Sequence, residues 1–118
     1  RNQSGVNLGA SVQGITTAVV RRALAEMQDN LETPLSLSEI SAVVACSPKT
    51  LSRRFQAELG SSPGRAYRHL RLTHAHQLLE NTQLSISEIG LRTGYNNPAA
   101  LSRAFKARFG RAPRQLRQ

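Results

Sequence analysis

The sequence contains an internal repeat, and this feature limits the possible folds more than any other. The first copy reads Leu-Ser-Leu-Ser-Glu-Ile at residues 35–40 and Leu-Ser-Arg-Arg-Phe at 51–55. The second copy reads Leu-Ser-Ile-Ser-Glu-Ile at 84–89 and Leu-Ser-Arg-Ala-Phe at 101–105, so the offset grows from 49 to 50 residues through one inserted residue. Because two copies are too few for a solenoid, the repeat indicates a duplicated supersecondary unit.

The start of each copy predicts a short helix. Ser36 and Ser85 are each followed three residues later by Glu, which is the pattern of a capping box. The first helices are therefore expected over about 37–44 and 86–93. We expect their apolar side chains to be buried, namely Leu37, Ile40, Val44, Ile86 and Ile89.

The second half of each copy predicts a further helix after a tight turn. Ser47-Pro48 and Asn97-Pro98 place a capping residue before a proline, which suits the first helical position. Gly60 and Gly110 are typical of the left-handed residue that ends a helix. The second helices are therefore expected over about 48–59 and 98–109.

These second helices are predicted to have an apolar face and a polar face. The residues expected to face the core recur every four positions, and they are Leu51, Phe55 and Leu59 in one copy and Leu101, Phe105 and Phe109 in the other. The opposite face carries Lys49, Ser52, Arg53 and Gln56, and its counterpart carries Ala99, Ser102, Arg103 and Lys106. A helix, a tight turn and a basic second helix form the plan of a helix-turn-helix DNA reader.

The whole chain is predicted to be all-α, with about seven helices. Residues 1–13 are rich in Gly, Ser and Asn and are interpreted as a linker or disordered end. A first helix-turn-helix subdomain is expected over 14–61 and a second over 82–118. A connecting helix over 62–81 lies between them, and at about 1.5 Å per residue it would be roughly 25 Å long. We expect that length to place the two second helices in adjacent segments of the major groove.

The positive charge is concentrated in the repeated region. The 118 residues include 16 Lys and Arg and 7 Asp and Glu, for a formal net charge of +9. Residues 1–34 are neutral, so the entire excess follows Pro34. Fourteen of the basic residues are Arg, whose planar fork suits phosphate groups and guanine edges. This distribution favours a nucleic-acid partner over a surface that is charged only for solubility.

The chemistry of the polar faces suggests individual roles. Arg53 and Arg103 can each form two hydrogen bonds with guanine, and Ser52, Ser102 and Lys49 can reach base edges or phosphate. The methyl group of Ala99 can pack on thymine. We assign contacts with the DNA backbone to Ser47, Gln56, Asn97, Pro98 and Lys106. Arg71 lies in the middle of the connecting helix, so a buried structural partner is an alternative to a DNA contact.

These motifs resemble the C-terminal DNA-binding domain of the AraC/XylS family of bacterial transcription regulators. The resemblance extends from about Ile15 to Gln118 and is most specific at Thr-Gly-Tyr-Asn-Asn-Pro-Ala-Ala-Leu-Ser-Arg-Ala-Phe-Lys, residues 93–106. It implies seven helices in two helix-turn-helix subdomains and a function as a promoter reader, usually an activator that contacts RNA polymerase. The positions matching the family's base-reading sites are Lys49, Ser52, Arg53, Pro98, Ala99, Ser102 and Arg103.

The resemblance also implies a separate sensor or dimerisation domain, expected on the N-terminal side. The wording of the repeats is most similar to the branch in which that domain resembles the DJ-1/PfpI amidotransferase fold. Cytoplasmic localisation agrees with the single cysteine, Cys46, and with the absence of a signal-peptide pattern. No cofactor and no metal are expected.

Three other classes of function fit the sequence less well. An enzyme is disfavoured because His74 and His76 point away from each other on a helix and no paired acids or Gly-rich loop are present. A non-specific nucleoid or RNA-binding protein is disfavoured because the aromatic residues, 4% of the chain, fall at core or turn positions and leave no stacking platform for single strands. A membrane-surface helix would need a broader apolar face than the charged segments offer.

Overall fold

The structure is a computed structural model, and it describes residues 16–117. The linker predicted over 1–13 therefore lies outside the described residues. In the described range the regular structure is helical, as the sequence predicts. The helices are α1 (Ala18–Asp29), α2 (Leu37–Val43), α3 (Pro48–Leu59), α4 (Pro63–Asn81), α5 (Ile86–Arg92), α6 (Pro98–Phe109) and α7 (Pro113–Arg117).

The helix boundaries follow from the capping residues. Both predicted capping boxes form, since the Ser36 and Ser85 hydroxyls accept from the backbone N–H three residues later and the glutamates accept in return. Ser47 and Asn97 cap α3 and α6, and each of these helices has a proline in its first turn. Left-handed glycines end both, as expected. The predicted bounds of α3 and α6 are confirmed.

The described chain divides into two compact units. The first unit contains Leu35–His69 together with the described residues up to Asn30, and the second contains Leu31–Pro34 and the described residues from Leu70 onward. Helix α4 is continuous across this division, so its first part belongs to one unit and its second part to the other.

The core of the first unit is built around the apolar face of α3. Leu51, Phe55 and Leu59 are buried, as the four-residue spacing predicts. Helix α1 adds Val20, Ala23, Leu24 and Met27, and α2 adds Ile40. Tyr67 is also buried, and its hydroxyl accepts from the Leu35 backbone N–H at 2.9 Å and donates to the Asn30 carbonyl oxygen.

The core of the second unit has the same plan around α6. Leu101 and Phe105 are buried with Ile89, and α4 adds Leu72, Ala75 and Leu79. Phe109, which was expected to face the core, is partly buried and packs against this cluster. The Arg117 side chain of α7 donates to three carbonyl oxygens at the end of α4. The Leu79 carbonyl lies in the last turn of α4, and those of Thr82 and Leu84 follow it. A cation at these carbonyls is favourable because the C-terminal end of a helix is electronegative.

Two expectations about burial are not met, and both concern the first residue of a helix. Leu37 is exposed, at 37%, because it is the first residue of α2 and its side chain points back towards the helix start. Ile86 of α5 is only partly buried. The burial along α4 follows no single stripe. Ala66, Tyr67, Leu72, Ala75 and Leu79 are buried, whereas Leu70, His74 and Leu78 are intermediate. Helix α4 therefore buries a wider part of its circumference than a single stripe.

Across residues 16–117, no helix has both the length and the apolar character needed to cross a lipid bilayer. In the same range, no three His, Cys, Asp or Glu side chains are grouped as metal ligands would be.

Candidate nucleic-acid interface

Helix α3 presents an exposed polar face opposite its buried one. Lys49, Arg53 and Gln56 are exposed and Ser52 is half-buried, whereas Leu51 and Phe55 on the other face are inaccessible. The sequence predicted this division. The exposed face therefore has two cations, a hydroxyl and an amide that can reach an external partner.

Helix α6 presents a matching face with less hydrogen-bonding capacity. Ala99, Arg103 and Lys106 are exposed and Ser102 is half-buried. Pro98 is exposed at the start of the helix. Ala99 offers only a methyl group, so direct hydrogen bonding with an external partner depends on Ser102, Arg103 and Lys106.

The two arginines at matched repeat positions have no anionic partner among the described residues. Arg54 pairs with Glu58 at 3.7 Å, and His76 Nδ1 lies 3.3 Å from a carboxylate oxygen of Glu80, so neither contact includes Arg53 or Arg103. Both guanidinium groups therefore keep their donors available. A guanidinium with free donors can bind guanine O6 and N7 together.

The residues that begin α3 and α6 use their side chains as caps. Ser47 Oγ accepts from the Thr50 backbone N–H at 3.1 Å and donates to Thr50 Oγ1 at 2.9 Å. Asn97 Oδ1 accepts from the Ala100 N–H at 2.8 Å, which leaves the Asn97 amide hydrogens for another acceptor. The Ser47 hydroxyl is thus occupied within the helix start, whereas the Asn97 amide can still donate outward.

The Glu58 carboxylate near the end of α3 bonds to the start of α1. Glu58 of α3 accepts from the Thr17 backbone N–H at 2.7 Å and from the Thr17 hydroxyl at 3.1 Å. Thr17 is the N-cap of α1, so the negative charge lies at the electropositive end of that helix. The repeat gives no signal for this contact, because the two residues are 41 positions apart and the second copy has Arg108 at the position that matches Glu58.

Arg71 of α4 makes three contacts with the turn between α5 and α6. The Arg71 side chain donates to the Thr93 and Gly94 carbonyl oxygens, and its guanidinium carbon lies 4.2 Å from the centre of the Tyr95 ring. Of the two alternatives that the sequence left open for Arg71, the structure shows the internal partner.

Comparison with known proteins identifies the class to which this fold and this surface belong. Residues 40–118 match the family described as "Helix-turn-helix domain". A structure of a transcriptional regulator from Chromobacterium violaceum, described as AraC-type, superposes with a TM-score of 0.81 at 36% identity, over 84% of this chain and 88% of that one. The chain therefore belongs to the AraC-type helix-turn-helix family of DNA-binding transcription regulators.

Two other relatives are informative about function. The HTH-type transcriptional regulator CdhR of Pseudomonas aeruginosa is 32% identical over 92% of this chain and 32% of that protein. The DNA-binding domain of AdpA, solved in complex with a target DNA, has a TM-score of 0.79 at 27% identity, over 86% of this chain and 91% of that one. Several relatives at about 30% identity are named as transcriptional activators. The chain spans about a third of the length of the curated relatives it matches.

Proposed function

We propose that this chain reads the sequence of double-stranded promoter DNA with α3 and α6, each inserted into its own segment of the major groove. The observation that carries the proposal is the repetition of one exposed polar face on both helices, with Arg53 and Arg103 at equivalent positions. An α-helix fits the major groove, where every base pair presents a distinct pattern of donors and acceptors.

The base-reading residues on this proposal are Lys49, Ser52 and Arg53 in α3 and Ala99, Ser102 and Arg103 in α6. Arg53 and Arg103 each recognise a guanine through two hydrogen bonds, which contributes roughly 1–3 kcal/mol of discrimination. Because of Lys49, α3 has one more side chain that can hydrogen-bond to DNA than α6 has among its base-reading residues. Ala99 adds a contact with a thymine methyl group to the sequence read by α6.

The contacts that position the protein on the DNA backbone are assigned to Ser47, Gln56, Asn97, Pro98 and Lys106. Asn97 is supported by its unused amide hydrogens, and Lys106 by its exposed ammonium group. Ser47 would act through the backbone at the start of α3, because its hydroxyl already bonds Thr50. The start of a helix attracts phosphate through its N–H groups and its positive dipole end.

On this proposal the two helices enter adjacent major-groove segments of one duplex, and such segments recur about every 34 Å along one face of the DNA. One chain would then occupy about two turns of DNA without a second copy.

We further propose that the full-length protein is a cytoplasmic activator of transcription rather than an enzyme. The activator names among the relatives support this assignment. In this proposal a sensor or dimerisation domain, of the kind that resembles DJ-1/PfpI, precedes the chain. RNA polymerase is the protein partner at the promoter.

The experiment is selection of binding sites from a randomised duplex pool by the unmodified chain. We expect enrichment of one motif, and affinity for it that exceeds affinity for a random duplex by at least about a thousandfold. Arg53→Ala and Arg103→Ala should each relax the preference at a different position in the motif. Arg22→Ala, which removes the same charge from an exposed site on α1, is the matched control and should leave the motif unchanged.

Two results would contradict the proposal. Equal affinity for selected and random duplexes would show that the chain does not read sequence. A uniform loss of affinity in both arginine variants, with the motif intact, would reassign these residues to phosphate contacts.

A further inference from the structure

One side chain of α4, Arg71, bonds to the turn between α5 and α6. Arg71 Nε donates to the Thr93 carbonyl oxygen at 2.7 Å, and Arg71 Nη2 donates to the Gly94 carbonyl oxygen at 2.8 Å. The same guanidinium group lies over the ring of Tyr95, 4.2 Å from its centre. Arg71 thus contacts three consecutive residues of the turn, all within the second unit.

The chemistry of the turn explains why an arginine stands there. Helix α5 ends at Arg92, Thr93 is its C-cap, and Gly94 takes the left-handed conformation at φ 84°. Carbonyl groups at and beyond a helix end carry partial negative charge and need donors. The planar guanidinium supplies two donors in fixed directions and a flat face for the aromatic ring, whereas a lysine supplies one point charge.

The position of this turn determines where α6 begins. Only Asn96 and Asn97 separate Tyr95 from Pro98, the first residue of α6. The first turns of α6 carry Arg103 and the other proposed base-reading residues. Recognition groups must be held to within about 0.5 Å of their working geometry. Any displacement of the turn therefore displaces the α6 side chains that are proposed to read DNA.

We propose that Arg71 is a positioning residue for base recognition by α6. It fixes the α5–α6 turn and so sets the orientation in which Arg103 meets a base edge. Its charge is used inside the second unit and makes no contact with DNA phosphate. This inference rests on the proposed function, and it adds a residue on α4 to the specificity of α6.

The test compares Arg71→Lys and Arg71→Gln with the unmodified chain in the same selection from a randomised duplex pool. Motif positions are first assigned to α3 or α6 by the Arg53→Ala and Arg103→Ala variants. For each Arg71 variant, affinities are then measured for the enriched duplex and for duplexes changed at one α3 or one α6 position. The dependence of affinity on salt concentration is measured in parallel, and circular dichroism reports folding.

We expect both Arg71 variants to fold and to lose discrimination at α6 positions by about tenfold, while discrimination at α3 positions stays within about twofold. Arg71→Lys should not restore discrimination at α6 positions, because lysine keeps the positive charge but lacks the forked donors of the guanidinium group. The slope of log affinity against log salt should be unchanged, since no phosphate contact is lost.

Other outcomes overturn the inference. Normal affinity and discrimination in Arg71→Lys, with a salt slope reduced by about 1 in Arg71→Gln, would make Arg71 a phosphate contact. Equal losses at α3 and α6 positions, unchanged discrimination at both, or failure of Arg71→Lys to fold would assign Arg71 to general stability. If the unmodified chain enriches no motif, the proposed function fails first, and this inference fails with it.

Discussion

The two helix-turn-helix units share one backbone plan but support their turns differently. In the second unit the left-handed turn residue is Gly94, and a Cβ atom there would lie 2.8 Å from both the Leu31 carbonyl oxygen and Pro34 Cγ. In the first unit the left-handed residue is Ala45, at φ 57°, and it is exposed. The second turn is therefore closed by packing, whereas the first is open enough to accept a side chain at the expense of backbone strain.

A second difference lies just before the turns. Gly90 of α5 faces the turn so closely that a Cβ atom would be 3.3 Å from the Tyr95 carbonyl oxygen. The matched residue of α2 is Ser41, whose buried hydroxyl has no hydrogen-bond partner among residues 16–117. Duplicated units can thus keep the same fold while one relies on tight packing and the other tolerates local imperfections. The following predictions test this contrast, from the largest expected effect to the smallest.

Gly94→Ala should destabilise the chain by about 2–4 kcal/mol. The left-handed conformation alone costs a non-glycine residue about 1–2 kcal/mol, and the new methyl group must also displace the Leu31 backbone and Pro34. Urea unfolding followed by circular dichroism measures the difference. Gly110→Ala is the matched control, because Gly110 is also left-handed but, apart from its chain neighbours, no described residue lies within 4 Å of the position that its Cβ would take. Equal losses in both variants would show that the second turn is not closed by packing.

Ala45→Gly should stabilise the chain by up to about 1 kcal/mol. Glycine removes the strain of the left-handed conformation, and part of this gain is offset because glycine has more freedom in the unfolded chain. Differential scanning calorimetry would show a raised Tm. Ala42→Gly, at an exposed helical position of α2, should destabilise by about 1 kcal/mol. A lowered Tm in Ala45→Gly would mean that the first turn is not strained.

Glu88 should give the second unit a small dependence of stability on pH. The Ser85 backbone N–H donates to Glu88 Oε1 at 2.9 Å, and this bond, followed by the Ser85 hydroxyl and Arg92, holds the pKa of the carboxyl below its ordinary value. Since the folded pKa lies below the unfolded one, the stabilisation is present at neutral pH and is lost as the pH falls through the folded value.

The measurement is the free energy of unfolding of Glu88→Gln relative to the unmodified chain, at neutral pH and at several acidic values. Glutamine can still accept from the Ser85 N–H but has no charge to titrate. The difference between the two proteins should shrink as the pH falls. A difference that stays constant over the whole range would show that the Glu88 charge contributes nothing.

The helices and their polar faces were predictable because they depend on local rules. Caps at Ser36, Ser47, Ser85 and Asn97 mark helix starts, and four-residue spacing separates the buried face of α3 from the exposed one. Contacts between distant positions were not predictable in the same way. Nothing in the repeat indicates that Glu58 would meet Thr17, and the sequence could only place Arg71 near the middle of a helix.

The burial errors also have a physical origin. Leu37 is apolar and falls at the right spacing, but a side chain at the first position of a helix extends back past the helix start. The DNA contacts themselves remain predictions, because exposure and chemistry define which groups are available rather than which bases they meet.

The most direct test of the central claim is protection of guanine N7 from methylation by dimethyl sulfate on the enriched duplex. The account predicts two separate clusters of protected guanines, about one helical turn apart, with one chain bound per duplex. Arg53→Ala should remove protection from one cluster only, and Arg103→Ala from the other only. A single protected cluster, or loss at the same guanines in both variants, would contradict reading by two helices.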